Sequence, residues 1–165
     1  TYTPAVHYAS ILGQLVDRNI LNAQQTVTAF TQLSIAIADT YISTFKLKYT
    51  YFRPRPVTVI RNELNTQWQP YLTTPATPEY PSLRATLGYA AAQVFIHRYG
   101  DREFTDDSYV EFGLDERIFS SFSEMAQEVA LSRLYAGTNF RTTVENSETH
   151  GRCIAQRANE LFLTE

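Results

Sequence analysis

Cysteine occurs once, at Cys153, so no disulfide can form within the chain and its redox compartment is not legible. No apolar stretch approaches the ~20 residues of a membrane-spanning helix, which excludes a bilayer-spanning segment of that kind. Histidine is scarce too: His7, His97 and His150 are the only three, and their spacing fits neither a metal site nor a catalytic triad. Lysine appears only at Lys46 and Lys48. Excess positive charge is absent as well, the formal net charge being −3, so there is no broad basic face and no nucleic-acid partner is expected. The chain also lacks the long polar runs of a disordered protein.

What remains is a 165-residue chain with 44% hydrophobic residues, enough for one core without metal or disulfide staples. It reads as soluble. Thr1 opens the chain where a Met would be expected, which processing or trimming would explain, and a secreted or extracytoplasmic location stays open.

The apolar spacing is helical. Ala5, Tyr8, Leu12 and Leu15 predict a first helix from Pro4 to Val16. Val27, Phe30, Leu33, Ile37, Tyr41 and Phe45 predict a buried stripe on a long helix from Ala23 to Tyr51, with Lys48 near the same face. The Arg53-Pro54-Arg55-Pro56 run ends it. Residues Val57 to Tyr80 read as irregular connection. Ser82 is the expected N-cap of a third helix reaching Tyr99, with Gly100 as its stop. Two further helices are predicted, Ile118 to Tyr135 and Thr143 to Phe162, and no strand. The expected fold is therefore all-α, a bundle of about five helices.

Asp101, Glu103, Thr105 and Asp107 alternate like a calcium loop, but the central glycine and closing glutamate are missing, so a solvated acidic loop is the better reading. Tyr49, Tyr51 and Phe52 are expected to be core or interface aromatics. No metal site is expected.

Chemistry concentrates in three short stretches at helix ends. They are Lys48 with Arg55-Pro56, then Pro81-Ser82-Leu83-Arg84, then Ser132-Arg133 followed by Asn139. Together they offer an ammonium, several guanidiniums, hydroxyls and the free N–H groups of a helix start, the donor set of an oxyanion pocket.

In order and context these stretches resemble the signature of vanadium-dependent haloperoxidases and type 2 phosphatidic acid phosphatases, in the soluble branch: Lys-x6-Arg-Pro, Pro-Ser-Gly-His, and Ser-Arg-x5-His-x3-Asp. The resemblance implies a haloperoxidase-like helical core as a single domain over residues 1–165. It also implies Lys48, Arg55, Ser82 and Arg133 as oxyanion ligands, with Arg84 added to the anion-binding set.

The departures bear on function. The signature glycine is Leu83, the first histidine is Arg84, the second is Asn139 and the aspartate is Thr143. In the family the second histidine attacks phosphorus or ligates vanadium, and the first donates a proton. An asparagine amide has no lone pair basic enough for either role. His97 lies thirteen residues past Arg84, about 20 Å along a helix, and cannot substitute.

The resemblance thus implies a non-catalytic homologue with a structural or binding role and a residual oxyanion pocket. The alternative is an active haloperoxidase or acid phosphatase with altered catalytic residues. No resident cofactor is expected, and vanadate or phosphate is the candidate ligand. A homo-oligomer, or a subunit of a larger assembly, is the expected form. Leu83 should narrow the approach of an anion to the backbone, and either an oxyanion or an acid, Glu79 or Glu145, should contact Arg84.

Overall fold

A computed structural model describes residues 3–19 and 22–161. Among them are six α-helices: α1 (Pro4–Asn19), α2 (Ala23–Tyr51), α3 (Pro56–Glu63), α4 (Leu83–Tyr99), α5 (Phe122–Tyr135) and α6 (Arg141–Asn159). The all-α bundle holds, with two corrections. The stretch read as irregular contains α3, which starts on Pro56 where a missing N–H costs nothing. The acidic stretch contains strand β1 (Phe104–Asp106), which pairs antiparallel with β2 (Arg117–Phe119). Phe104 and Phe119 are cross-strand partners, stacked with ring centroids 5.4 Å apart, so this small ribbon is pinned to the core by aromatics. The predicted start of α5 at Ile118 therefore moves to Phe122, where Ser121 caps it by accepting from the Glu124 N–H.

The core is centred on α4, which packs on α6, α5 and α2. From Ala85 to Ala92 every residue of α4 is buried. Its small residues allow close helix approach, and Gly151 of α6 marks the tightest point.

The buried stripe of α2 is offset from the predicted one. Ala29, Gln32, Leu33, Ala36, Thr40, Thr44 and Lys48 are buried, while Val27 is exposed and Phe30, Ile37, Tyr41 and Phe45 are half-buried. Small side chains face the centre, and the bulky ones sit at the edges of the contact. Tyr49, Tyr51 and Phe52 are exposed, so they are not core residues; they lie on the outer face of the end of α2, Tyr49 against Phe45 and Phe52 and Tyr51 against Tyr80. Phe52 caps α2 in the left-handed region at φ 47°.

Candidate functional site

Three chain segments converge at one end of the bundle: the end of α2, the loop 77–82 leading into α4, and the turn between α5 and α6. Lys48, Arg55, Ser82, Arg84, Arg133 and Asn139 all line one cavity of about 300 Å³ between them. The spacing of α2 puts Lys48 one turn beyond Thr44 on the buried face, so its chain runs inward beneath the loop.

The two most buried cations bond the chain itself, Lys48 with all three of its N–H groups and Arg55 with three of its five. Lys48, 2% exposed, donates to the carbonyls of Pro78 (2.7 Å), Glu79 (3.3 Å) and Pro81 (2.6 Å). Those three bonds use every N–H of an ammonium. Burial, with Arg55 alongside, pulls the Lys48 pKa from 10.5 down to about 8, against the opposing pull of Glu79. Arg55 donates Nε to Thr77 O (2.8 Å), Nη1 to Thr138 O (2.9 Å) and Nη2 to Thr77 Oγ1 (3.1 Å). Burial lowers its pKa as well, and Glu79 acts in the opposite direction. Lys48 and Arg55 thus clamp the loop into α4 from below and from the side.

Glu79 is the residue whose role the sequence reading missed. Fully buried, its carboxylate accepts from Asn139 Nδ2 (3.0 Å), the Phe140 N–H (2.9 Å) and Thr143 Oγ1 (2.8 Å). Asn139 Nδ2 also reaches Glu79 O at 2.9 Å, and Asn139 Oδ1 accepts from Ser82 Oγ at 3.3 Å. The replaced positions Asn139 and Thr143 therefore belong to one polar network built on a buried carboxylate. Nothing in their spacing signals it, since Glu79 meets them from sixty or more residues away. The one hint is a lone acid inside an otherwise cationic set of stretches.

Of the two partners expected for Arg84, an oxyanion or an acid, the structure excludes the acid. Glu79 is committed elsewhere, Glu145 is exposed, and no carboxylate pairs with Arg84 or Arg133 among the described residues. Arg84 stands second in α4, nearer its start than one turn in, and no acid occupies that first turn. Arg133 donates Nε to Ser132 Oγ at 3.0 Å. Burial depresses its pKa, and Arg84 depresses it further, so the two guanidiniums feel one another. Ser82 takes N-cap geometry on α4, but its hydroxyl turns to Asn139 and makes no side-chain cap bond.

The remaining sequence candidates lie apart from this cavity. His7 bonds Asp106 at 2.7 Å, His150 bonds Ser43 at 3.0 Å, and His97 is exposed. Among the described residues no group of histidine, cysteine or acid side chains could hold a metal, the acidic 101–107 stretch included.

The arrangement defines a helical-bundle protein with a cation-lined pocket at the N-terminus of its central helix. A family model described as the VCPO second helical-bundle domain matches residues 62–164, more than half of the chain. The chain belongs to that family, within the vanadium haloperoxidase superfamily. It is similar to the crystal structure of the first bacterial vanadium-dependent iodoperoxidase, with 34% identity, a TM-score of 0.90, and 96% of this chain on 39% of that one. Holo-type and apo-type bacterial vanadium-dependent chloroperoxidase share the fold at 20% identity, with TM-scores of 0.69 and 0.77; 95% and 94% of this chain cover 40% and 41% of theirs. The chain thus spans about two fifths of the length of these relatives. No curated protein matches it.

Proposed function

We propose that this chain is a non-catalytic member of the family whose pocket binds an anion without turning it over. The observation that carries the reading is Asn139. It stands where the family signature has its second histidine, and its amide is held by Glu79 and Ser82. An amide in that place supplies neither a nucleophile nor a strong axial ligand to vanadium. Arg84 stands where the first histidine would donate a proton, and a guanidinium stays protonated at any working pH.

Lys48 serves this reading as fixed positive charge rather than as a free donor, while Arg55 adds its charge and the two N–H groups that it does not give to the chain. Arg84, Arg133 and the open start of α4 supply the contacts to a bound oxyanion, with vanadate or phosphate as the simplest ligands. A binding role within a larger protein or a homo-oligomer follows, because a pocket without chemistry acts only through what it holds or touches.

The test is turnover. The chain is incubated with an aryl phosphate, and separately with vanadate, peroxide and bromide or iodide. The expected result is no turnover above the uncatalysed rate in either assay. Turnover that disappears in Lys48→Ala establishes instead an active phosphatase or haloperoxidase with altered catalytic residues.

A further inference from the structure

The pocket is lined by cations, apolar side chains and polar groups, and of the polar groups Ser82, Thr138 and Asn139 spend their donors on the chain. Arg84 and Arg133 line it with no carboxylate partner among the described residues. Tyr41, Phe45, Leu83, Pro75 and Pro4 also line it. A tetrahedral oxyanion carries oxygens in every direction and needs donors all around it. Lys48 has none left, and three of the N–H groups of Arg55 are taken by the chain. Oxygens facing Phe45, Leu83 or Pro75 would be desolvated and unpaired, which is costly.

A planar head avoids that cost. A carboxylate presents both oxygens to one side, where guanidinium forks match it. The group it is attached to then lies against the apolar walls. A dry cavity of ~150 Å³ holds a benzene ring, so about 300 Å³ takes a ring-sized body with its carboxylate.

We propose that the pocket selects a small organic carboxylate, its head between Arg84 and Arg133 and a ring-sized apolar body against Tyr41, Phe45 and Leu83. The inference rests on the anion-binding reading above and replaces an inorganic ligand with an organic one.

Calorimetry on the full chain with benzoate, acetate, inorganic phosphate and vanadate tests both. Benzoate is expected to bind one-to-one and at least about tenfold more tightly than acetate or phosphate. Arg84→Gln should weaken benzoate by about tenfold, the worth of one charge-assisted hydrogen bond. Arg84 is exposed and bonds no other side chain among the described residues, so the variant is expected to fold, as its circular dichroism would verify. Phosphate or vanadate binding as tightly as benzoate overturns the organic selectivity and leaves the anion-binding reading standing. Acetate matching benzoate overturns the apolar seat alone. Benzoate binding unchanged in Arg84→Gln removes the guanidinium pair from the site. If none of the four ligands binds, both readings fall.

Discussion

Two stretches of α4 are held by opposite means. Its middle, from Ala85 to Phe95, packs through small and apolar side chains against α6 and α5 with no buried charge. Its start is held by buried ions: Lys48 and Arg55 bond the loop 77–82, and Glu79 ties that loop to the start of α6. Apolar packing has no fixed direction and tolerates small shifts. A buried charge is costly unless each of its bonds is made, so the pocket end is fixed by geometry and vulnerable to the loss of any one partner.

The largest effect is expected from Glu79→Ala. It leaves Thr143 Oγ1 and the Phe140 N–H without their acceptor, leaves Asn139 with only the backbone carbonyl of residue 79, and leaves two buried cations without their counter-charge. A loss of about 3–5 kcal/mol in urea unfolding is the expected outcome. A loss below about 1 kcal/mol would mean that the pocket end is not held by its ions.

Gly151→Ala probes the other regime. An added Cβ would lie 2.5 Å from Thr86 O, 2.8 Å from Tyr89 Cβ and 3.0 Å from Ala90 N, mostly backbone that cannot step aside. About 2–3 kcal/mol should be lost. In Gly88→Ala the nearest atoms are the Tyr8 hydroxyl and the Val129 side chain at 3.3 Å, side chains rather than backbone, so it should be nearly neutral, since helix propensity offsets the crowding.

Lys48→Met should cost about 1–2 kcal/mol at neutral pH by leaving three carbonyls short of a donor. The pH dependence is more specific. The folded-state pKa of about 8 lies below the unfolded value of 10.5, so between them the unfolded chain holds the extra proton. Stability from this group is therefore flat below pH 8 and rises from pH 8 to about 10.5. The gap between wild type and Lys48→Met should widen over that window. A gap that stays constant or narrows would place the Lys48 charge in water.

The smallest effect belongs to the surface. Arg117 makes a two-bond pair with Glu128 at 2.6 and 2.7 Å, but both side chains are about half exposed. Arg117→Ala should cost no more than about 0.2–1 kcal/mol in thermal unfolding, and less at high salt.

Much of this was legible along the chain. The helix from Ala23 to Tyr51 appears with those bounds, and Gly100 stops α4 at φ 75°. Lys48, Arg55, Ser82, Arg84 and Arg133 were singled out by type and spacing, and they line one cavity. The buried stripe of α2 lies about one position from the one its bulky residues predict, because bulky side chains give the stronger periodic signal while Ala36, Thr40 and Thr44 take the centre of the contact.

The sequence by itself determined the long helices, the glycine stop of α4 and the residue types that meet at the pocket, because periodicity, proline and glycine act over a few residues; α3, the β1–β2 ribbon and the start of α5 were not among them. Tertiary structure alone decided how those charges are used. Whether Lys48 faces an open ligand seat or three carbonyls, and whether Glu79 meets Arg84 or Asn139, depends on where loop 77–82 lies against α2 and the turn before α6. Hydrogen bonds are short and directional, so their pairing is set by the folded positions of residues about 30 to 60 apart in the chain, where no local pattern carries the information.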